Sequence, residues 1–353
     1  MTRKNTFATP SPEEAGQLYE VAGRVKELAP WTWMDESDIF GVQNPETGEI
    51  GFVSVMGMAG QHFAVALYQG AAALYDFWDL ESGDALTDPM QLLDVPQLQA
   101  SFEDRDILDK QDRDVIKKLG LKFRGANAWP MFRSYAPGLM PWFVTATEAR
   151  FLACALARTL EVAPRVKAEP ELLHIENDEA GERYLVCVPH EQEGAGLVWT
   201  EQIMRVPAPE PEIIPVALDM EVVGQLKQLP RRQIELEIDL LNLPMPIGEK
   251  GERPYRPYML MLADARSGMV VGFELLKPVP SLTEMKGQIP MKLAEWLTQA
   301  GVVPALISVR SELLLELLNP LAKILNIKLG QSDSLPSLEA AMDSMFGMMG
   351  GDF

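Results

Sequence analysis

The sequence predicts two units of mixed structure: an α+β N-terminal domain with antiparallel strands, and a C-terminal α/β domain on a mixed five-stranded sheet. Three observations carry this. Apolar residues recur at helical spacing in "SPEEAGQLYEVAGRVKELAP", whereas they alternate strictly in "QIELEIDLLNL". Between these patterns lies "VPAPEPEIIP", whose four prolines in ten residues describe an extended, semi-rigid joint. A chain of 353 residues with 47% hydrophobic composition is long enough for a core on each side of it. The expected division is therefore an acidic α+β domain over 1–206, a Pro-rich linker over 207–216 and a second domain over 217–353.

In the first helix Ser11 caps, Pro12 takes the first turn and Glu14 closes a capping box, while Leu18, Val21, Val25 and Leu28 form one apolar stripe up to Pro30. The run "DIFGVQNPETGEIGFVSVMGMAGQHFAVALYQG" reads as a three-stranded meander turning at Asn44 to Gly48 and at Gly57 to Gly60. A helix follows through "AAALYDFWDL". An amphipathic helix with a solvated charged face runs through "EDRDILDKQDRDVIKKLGLKF" and stops at Gly120. The helix "TATEARFLACALARTLEVA" starts at a Thr145 or Thr147 cap with Glu148 near the positive end of its dipole. Three further strands are expected in "ELLHIEN", "RYLVCVPHE" and "LVWTEQIMRV", giving this domain two antiparallel groups.

Beyond the joint a short helix in "ALDMEVVGQLKQLP" precedes strand, strand, strand, helix, strand, helix, strand, helix. The second and third strands, 258–264 and 269–276, meet at "DARSG", where Gly268 supplies the backbone freedom a tight hairpin requires. One helix, kinked at Pro290, is expected from Ser281 to Gly301. "ALISV", a helix capped by Ser311, "IKLG" and a last helix from Ser337 through Met349 complete the order. Asp264 heads the hairpin, and a carboxylate there accepts hydrogen bonds from its own turn, so it reads as structural before it reads as a ligand.

Composition excludes some function classes. The net charge is −20, and most of the excess acid precedes residue 219. Such a field repels phosphate backbones, which disfavours nucleic acid and leaves a protein or small molecule as the expected partner. No window of uncharged apolar sequence is long enough to span a bilayer, and "MTRKNTFATPSPEEAG" has no apolar run behind its basic residues, so a cytoplasmic, non-membrane protein is expected. The two cysteines, Cys154 and Cys187, stand in apolar contexts far apart, as buried thiols do.

The C-terminal element order, together with Asp264, Ser267, Val271 and Gly272 in the pattern "D-x-x-S-x-x-V-G", resembles the ribonuclease H-like catalytic core of retroviral-type integrases and transposases. The resemblance spans Gln233 to about Met345. It implies a metal-binding acid in the first strand, here Asp239. A second would stand at the helix start in "SELL", here Glu312, and a third in the last helix, here Glu339 or, one turn on, Asp343. Such acids would clamp magnesium about a scissile phosphate. Two positions depart from the pattern: Glu312 stands where it has aspartate, and Leu314 where it has glycine. The whole chain, through "WTWMDESDIFGV", "ETGEIGFVSVMG" and "GERPYRPYMLML", is also similar to a family of uncharacterised bacterial proteins known as domains of unknown function, which implies no activity.

The residues have a second reading. Asp239 shares strand parity with Glu235 and Glu237, so it would point outward on a polar face, and Glu312 would only face its helix dipole. The expected function is accordingly a non-catalytic binding or scaffold protein with a degenerate ribonuclease H-like domain and no cofactor. The alternative is a magnesium-dependent nuclease or related phosphoryl-transfer enzyme in which Asp239, Glu312 and Glu339 are both catalytic and metal-binding.

For binding, Trp31, Trp33, Phe40 and Trp78, together with Phe77, Trp129 and Trp142, are expected to gather at an N-terminal groove that anchors a peptide or flat ligand. Met342, Met345, Met348 and Met349 make a methionine-rich tail, either adaptable or simply packed. Cys187 and His190 with His174 fall short of a four-ligand zinc set. Ser54 and His62 lack an orienting acid, and "GMAG" has no following helix and so is no phosphate loop.

Overall fold

The computed structural model describes residues 8–82, 91–176, 181–192, 194, 196–210, 212–243 and 245–348. The chain divides into two compact units, Met1–Ala136 with Pro141–Glu210, and Pro137–Met140 with Pro211–Phe353.

The first unit is built on a seven-stranded sheet. Its strands are β1 (Phe40–Gln43), β2 (Ile50–Met56), β3 (Ala64–Gln69), β4 (Gln97–Glu103), β5 (Trp129–Tyr135), β6 (Glu182–Gln192) and β7 (Gly196–Val206), in the order β5-β4-β3-β2-β1-β6-β7. Neighbours are antiparallel except β1 and β6, which run parallel. The expected two antiparallel groups are thus one mixed sheet, because the chain returns to β1 after the long α4 (Ala146–Ala168) instead of starting a new sheet. Alternation along the strands gives the sheet two faces. Phe40, Val42, Val53, Val55, Val65 and Leu67 face α1 (Pro12–Leu28), α3 (Lys110–Lys118) and α4. Phe52, Ala66, Tyr68 and Val186 face α2 (Gly70–Ser82).

The caps behave as their chemistry requires. Ser11 and Glu14 form a reciprocal box at α1, and Thr145 and Glu148 form one at α4. Two differences from the sequence reading stand out. The start of "ELLHIEN" lies in a 3-10 turn, Pro170–Leu173, not a strand, because Pro170 follows the C-cap Glu169 of α4 and Leu173 turns into the core. Strands β4 and β5 carry weak signals. In β4 the polar partners of Leu98, Ala100 and Phe102 are buried glutamines and a serine, and β5 contains Pro130, which is tolerated because β5 is an edge strand.

The second unit carries β8 (Glu235–Asn242), β9 (Tyr258–Asp264), β10 (Val270–Leu276), β11 (Leu306–Val309) and β12 (Lys328–Gln331) in the order β10-β9-β8-β11-β12. The first three strands pair antiparallel, and β8, β11 and β12 run parallel, which makes the mixed five-stranded sheet expected from the sequence. Leu236, Ile238, Leu260 and Leu262 face α5 (Met220–Leu226), α6 (Leu282–Gly287), α7 (Ile289–Ala300) and α8 (Glu312–Leu325). Met259, Met261 and Ala263 face α9 (Pro336–Met348) through Leu335 and Leu338. The single kinked helix expected over 281–301 is two helices broken at Gln288, since Pro290 lacks an N–H and is best placed in a first turn. Gly301, at φ 65°, ends α7 in the left-handed conformation. Met342 and Met345 pack against the α9 face of the sheet, and Met349 lies outside the described residues.

Candidate functional site

Strand β8 brings Glu235, Glu237 and Asp239 to one face by its two-residue period. Glu235 is exposed at the strand's start, but Glu237 and Asp239 are each only 5% exposed, which corrects the outward reading for Asp239. Helix α9 lies over them because the carboxylates satisfy groups that would otherwise be orphaned. Glu237 Oε2 accepts the N–H groups of Ser337 (2.9 Å) and Leu338 (3.1 Å), at the positive end of the α9 dipole. The Ser337 hydroxyl donates to the Ala265 carbonyl at 3.2 Å, and Glu235 Oε1 accepts the Ser308 hydroxyl at 2.9 Å.

Asp239 is answered by a cation. Its Oδ2 lies 3.2 Å from Nε of Arg310, the residue that follows β11, while its Oδ1 accepts the Leu240 N–H at 2.9 Å. The same guanidinium reaches forward through Nη2 to Glu339 Oε1 at 3.0 Å. Glu339 also accepts the Leu335 N–H and the Ser334 hydroxyl, which ties the first turn of α9 to the bridge. Burial pushes the Asp239 carboxyl above its ordinary range; the Leu240 N–H and Arg310 oppose this, and the neighbouring Glu339 adds to it.

Two of the three acids named from the resemblance are therefore brought together, and an arginine stands between them. Glu312 is exposed at the first residue of α8, and among the described residues no hydrogen bond or ion pair joins it to Asp239 or Glu339. Asp343 is exposed on α9. These residues do not fit a magnesium pair. Such a site needs several converging oxygens, whereas the five fixed N–H donors of a guanidinium fill the position between these carboxylates. Among the described residues no group of three or more His, Cys, Asp or Glu is placed to hold a metal ion.

Arg310 is the residue the sequence reading missed. Its signal was a single cation in "ISVRSELL", at a strand end beside the acid-bearing strand, and a search confined to acids passes over it. Asp264 does what its turn asks: Oδ1 accepts from the N–H groups of Arg266 (3.2 Å) and Ser267 (2.7 Å) and from the Ser267 hydroxyl (2.7 Å). These bonds, the Ser267 hydroxyl foremost, hold its carboxyl below the usual range.

The aromatic groove is corrected. Trp31 and Phe40 are buried on the α1/α4 face of the first sheet, and Trp33 packs there with its Nε1 donating to the Ala163 carbonyl at 2.9 Å. Trp78 packs on the opposite face with Phe77, its Nε1 donating to the Tyr184 hydroxyl at 3.0 Å. The 3-10 turn Pro30–Thr32 and α2, which carry Trp31 and Trp78, cover opposite faces of the sheet, so these rings do not line one groove. Trp129 instead packs edge-on to Phe123, and Trp142 to Phe143.

The remaining candidates are accounted for separately. Cys187 is buried with its thiol pushed up to about 11 by desolvation, His190 bonds Thr200 at 2.7 Å, and His174 lies between Glu171 and Asp38. The Ser54 hydroxyl donates to the Glu36 carbonyl, and His62 faces Glu103 at 3.8 Å. Among the described residues no helix is long and apolar enough to cross a membrane.

Fold and site together define a two-unit protein of mixed α/β structure whose second sheet carries an arginine-bridged pair of carboxylates. Residues 16–185 match a domain of unknown function (DUF7309), and residues 223–346 match a second domain of unknown function (DUF6930). No curated protein matches the chain.

Proposed function

We propose that the chain is a non-catalytic binding or scaffold protein whose second unit is a degenerate ribonuclease H-like domain. The strand order β10-β9-β8-β11-β12, with three antiparallel strands followed by two parallel ones, supports the likeness. The single observation that carries the non-catalytic reading is Arg310. A guanidinium with one carboxylate on Nε and another on Nη2 supplies the positive charge a divalent ion would otherwise bring, and it cannot activate water. The net charge of −20 supports a protein or small-molecule partner over nucleic acid, and a cytoplasmic location belongs to the same proposal.

The phosphoryl-transfer reading draws its support from the meeting of Asp239 and Glu339 at one point. One experiment separates the two. The full chain is incubated with single- and double-stranded nucleic acid, with and without magnesium, and its melting temperature is followed as magnesium is added. No cleavage and no magnesium-dependent shift are expected, because an ion stabilises only a fold that binds it. Magnesium-dependent cleavage that disappears in Asp239→Asn would establish the enzyme instead.

A further inference from the structure

We propose that β7 is the seam of a homodimer, in which the β7 strands of two copies pair antiparallel about a two-fold axis at Ile203 and join their sheets. Strand β7 closes one edge of the seven-stranded sheet and, among the described residues, pairs only with β6. An edge strand presents a row of N–H and C=O groups on its other side, and proteins that stay monomeric blunt such edges with proline, charged side chains, bulges or short length. Strand β7 has no proline, lysine, bulge or short length, and its two charges, Glu201 and Arg205, are opposite in sign. It is eleven residues long, "GLVWTEQIMRV", and its register with β6 runs unbroken from Glu182↔Val206 to Gln192↔Gly196. The other edge of the same sheet, β5, carries Pro130.

The exposed residues say which partner fits. Thr200, Glu201, Gln202, Ile203 and Arg205 are all exposed, with Ile203 at 51%. In a two-fold antiparallel pair, the register centred on Ile203 places Glu201 opposite Arg205 of the second copy, and Arg205 opposite its Glu201. Registers centred on Glu201 or on Arg205 would set like charges face to face, which is destabilising. Glu201 already holds Arg165 through Oε1, and Arg205 already has an interaction within its own chain, so the contact across the seam would be a second one for each. In the same register Ile203 meets Ile203, Gln202 meets Met204, and Thr200 meets Val206. Pairing stops at Pro207, which has no N–H to give. The strand is thus complementary to itself in charge and in apolar contact, and a second copy of this chain is the partner that matches it.

Analytical ultracentrifugation of the full chain tests this. The wild type is expected to sediment at twice the monomer mass. Ile203→Lys and Arg205→Glu should each halve that mass at the same concentration with unchanged far-UV circular dichroism, and the exchange Glu201→Arg with Arg205→Glu should restore the dimer. Should the charge variants fail to fold, Ile203→Cys provides the second measurement: mild oxidation should link two chains through position 203, whereas Leu197→Cys, outside the overlap, should not link. A wild type that stays monomeric, a dimer that survives both single substitutions, or a position 203 that does not link overturns the proposal.

Discussion

Burial holds the Asp239 carboxyl above its ordinary value of 3.8, although the Leu240 N–H and Arg310 both favour its charged form. A carboxyl whose folded pKa is raised binds its proton more tightly in the native state, so its contribution is fully present below 3.8 and is lost as pH rises through the raised value. Asparagine at this position keeps the shape and cannot titrate. The stability of the wild type relative to Asp239→Asn should therefore fall as pH is raised from below 3.8 toward neutrality, as read from urea midpoints. A relative stability that climbs over the same range would mean that Arg310 outweighs burial at this carboxyl. At this scale the sequence named Asp239 and Glu339, but not the residue that joins them. A residue type states what a side chain is able to bind, whereas its partner is chosen by which strand end arrives beside it.

At the scale of elements, β10 and α7 are fitted to each other through Gly272. A Cβ built there would stand 2.3 Å from the Trp296 ring, closer than any real contact allows. Gly272→Ala is expected to destabilise the chain by about 1–3 kcal/mol through overpacking, with much of the loss recovered when Trp296→Leu is added. Denaturant melts of the two variants decide this, and equal loss in both would sink the explanation. Most elements were legible for local reasons: the capping boxes at Ser11 and Thr145, the alternation in β8, the Gly268 hairpin and the Gly301 stop. Those that were missed are elements whose neighbours decide them. Strand β4 buries Gln97, Gln99 and Ser101 along with its apolar residues, and β5 keeps Pro130 because, among the described residues, its far side is bridged only at Ser134, by Trp142, and not at the proline. The face of β8 opposite its Ile and Leu residues looked solvated only because α9, almost one hundred residues later, was not yet over it.

For the whole molecule, the second unit is not continuous in sequence. It includes Pro137–Met140, which pair with its own loop: Met140 N–H donates to the Pro254 carbonyl at 2.9 Å, Arg256 N–H to the Gly138 carbonyl at 2.8 Å, and Leu139 bridges Tyr255. A segment excised as 217–353 lacks those four residues and leaves the buried Arg256 backbone without that bond. It should unfold at lower denaturant than the same region within the full chain and lose amide protection at Arg256; equal midpoints and equal protection would show that Pro137–Met140 are dispensable. The proline-rich stretch suggested a cut at a single point because composition marks where a chain is stiff and exposed. It carries no record of an earlier segment returning to pair.

By itself the sequence determined periodicities, caps, turns and charge, and through them two units of mixed structure and the order of elements along the second. These are local properties, settled within a few residues by backbone sterics and side-chain hydrogen bonding. Only the tertiary structure decided that Glu237 and Asp239 are buried, that Arg310 stands between Asp239 and Glu339, that Glu312 is exposed at the start of α8, and that Trp78 packs on the opposite face from Trp31. Each of these depends on contacts between residues distant in the chain, whose energies arise only once the elements have packed.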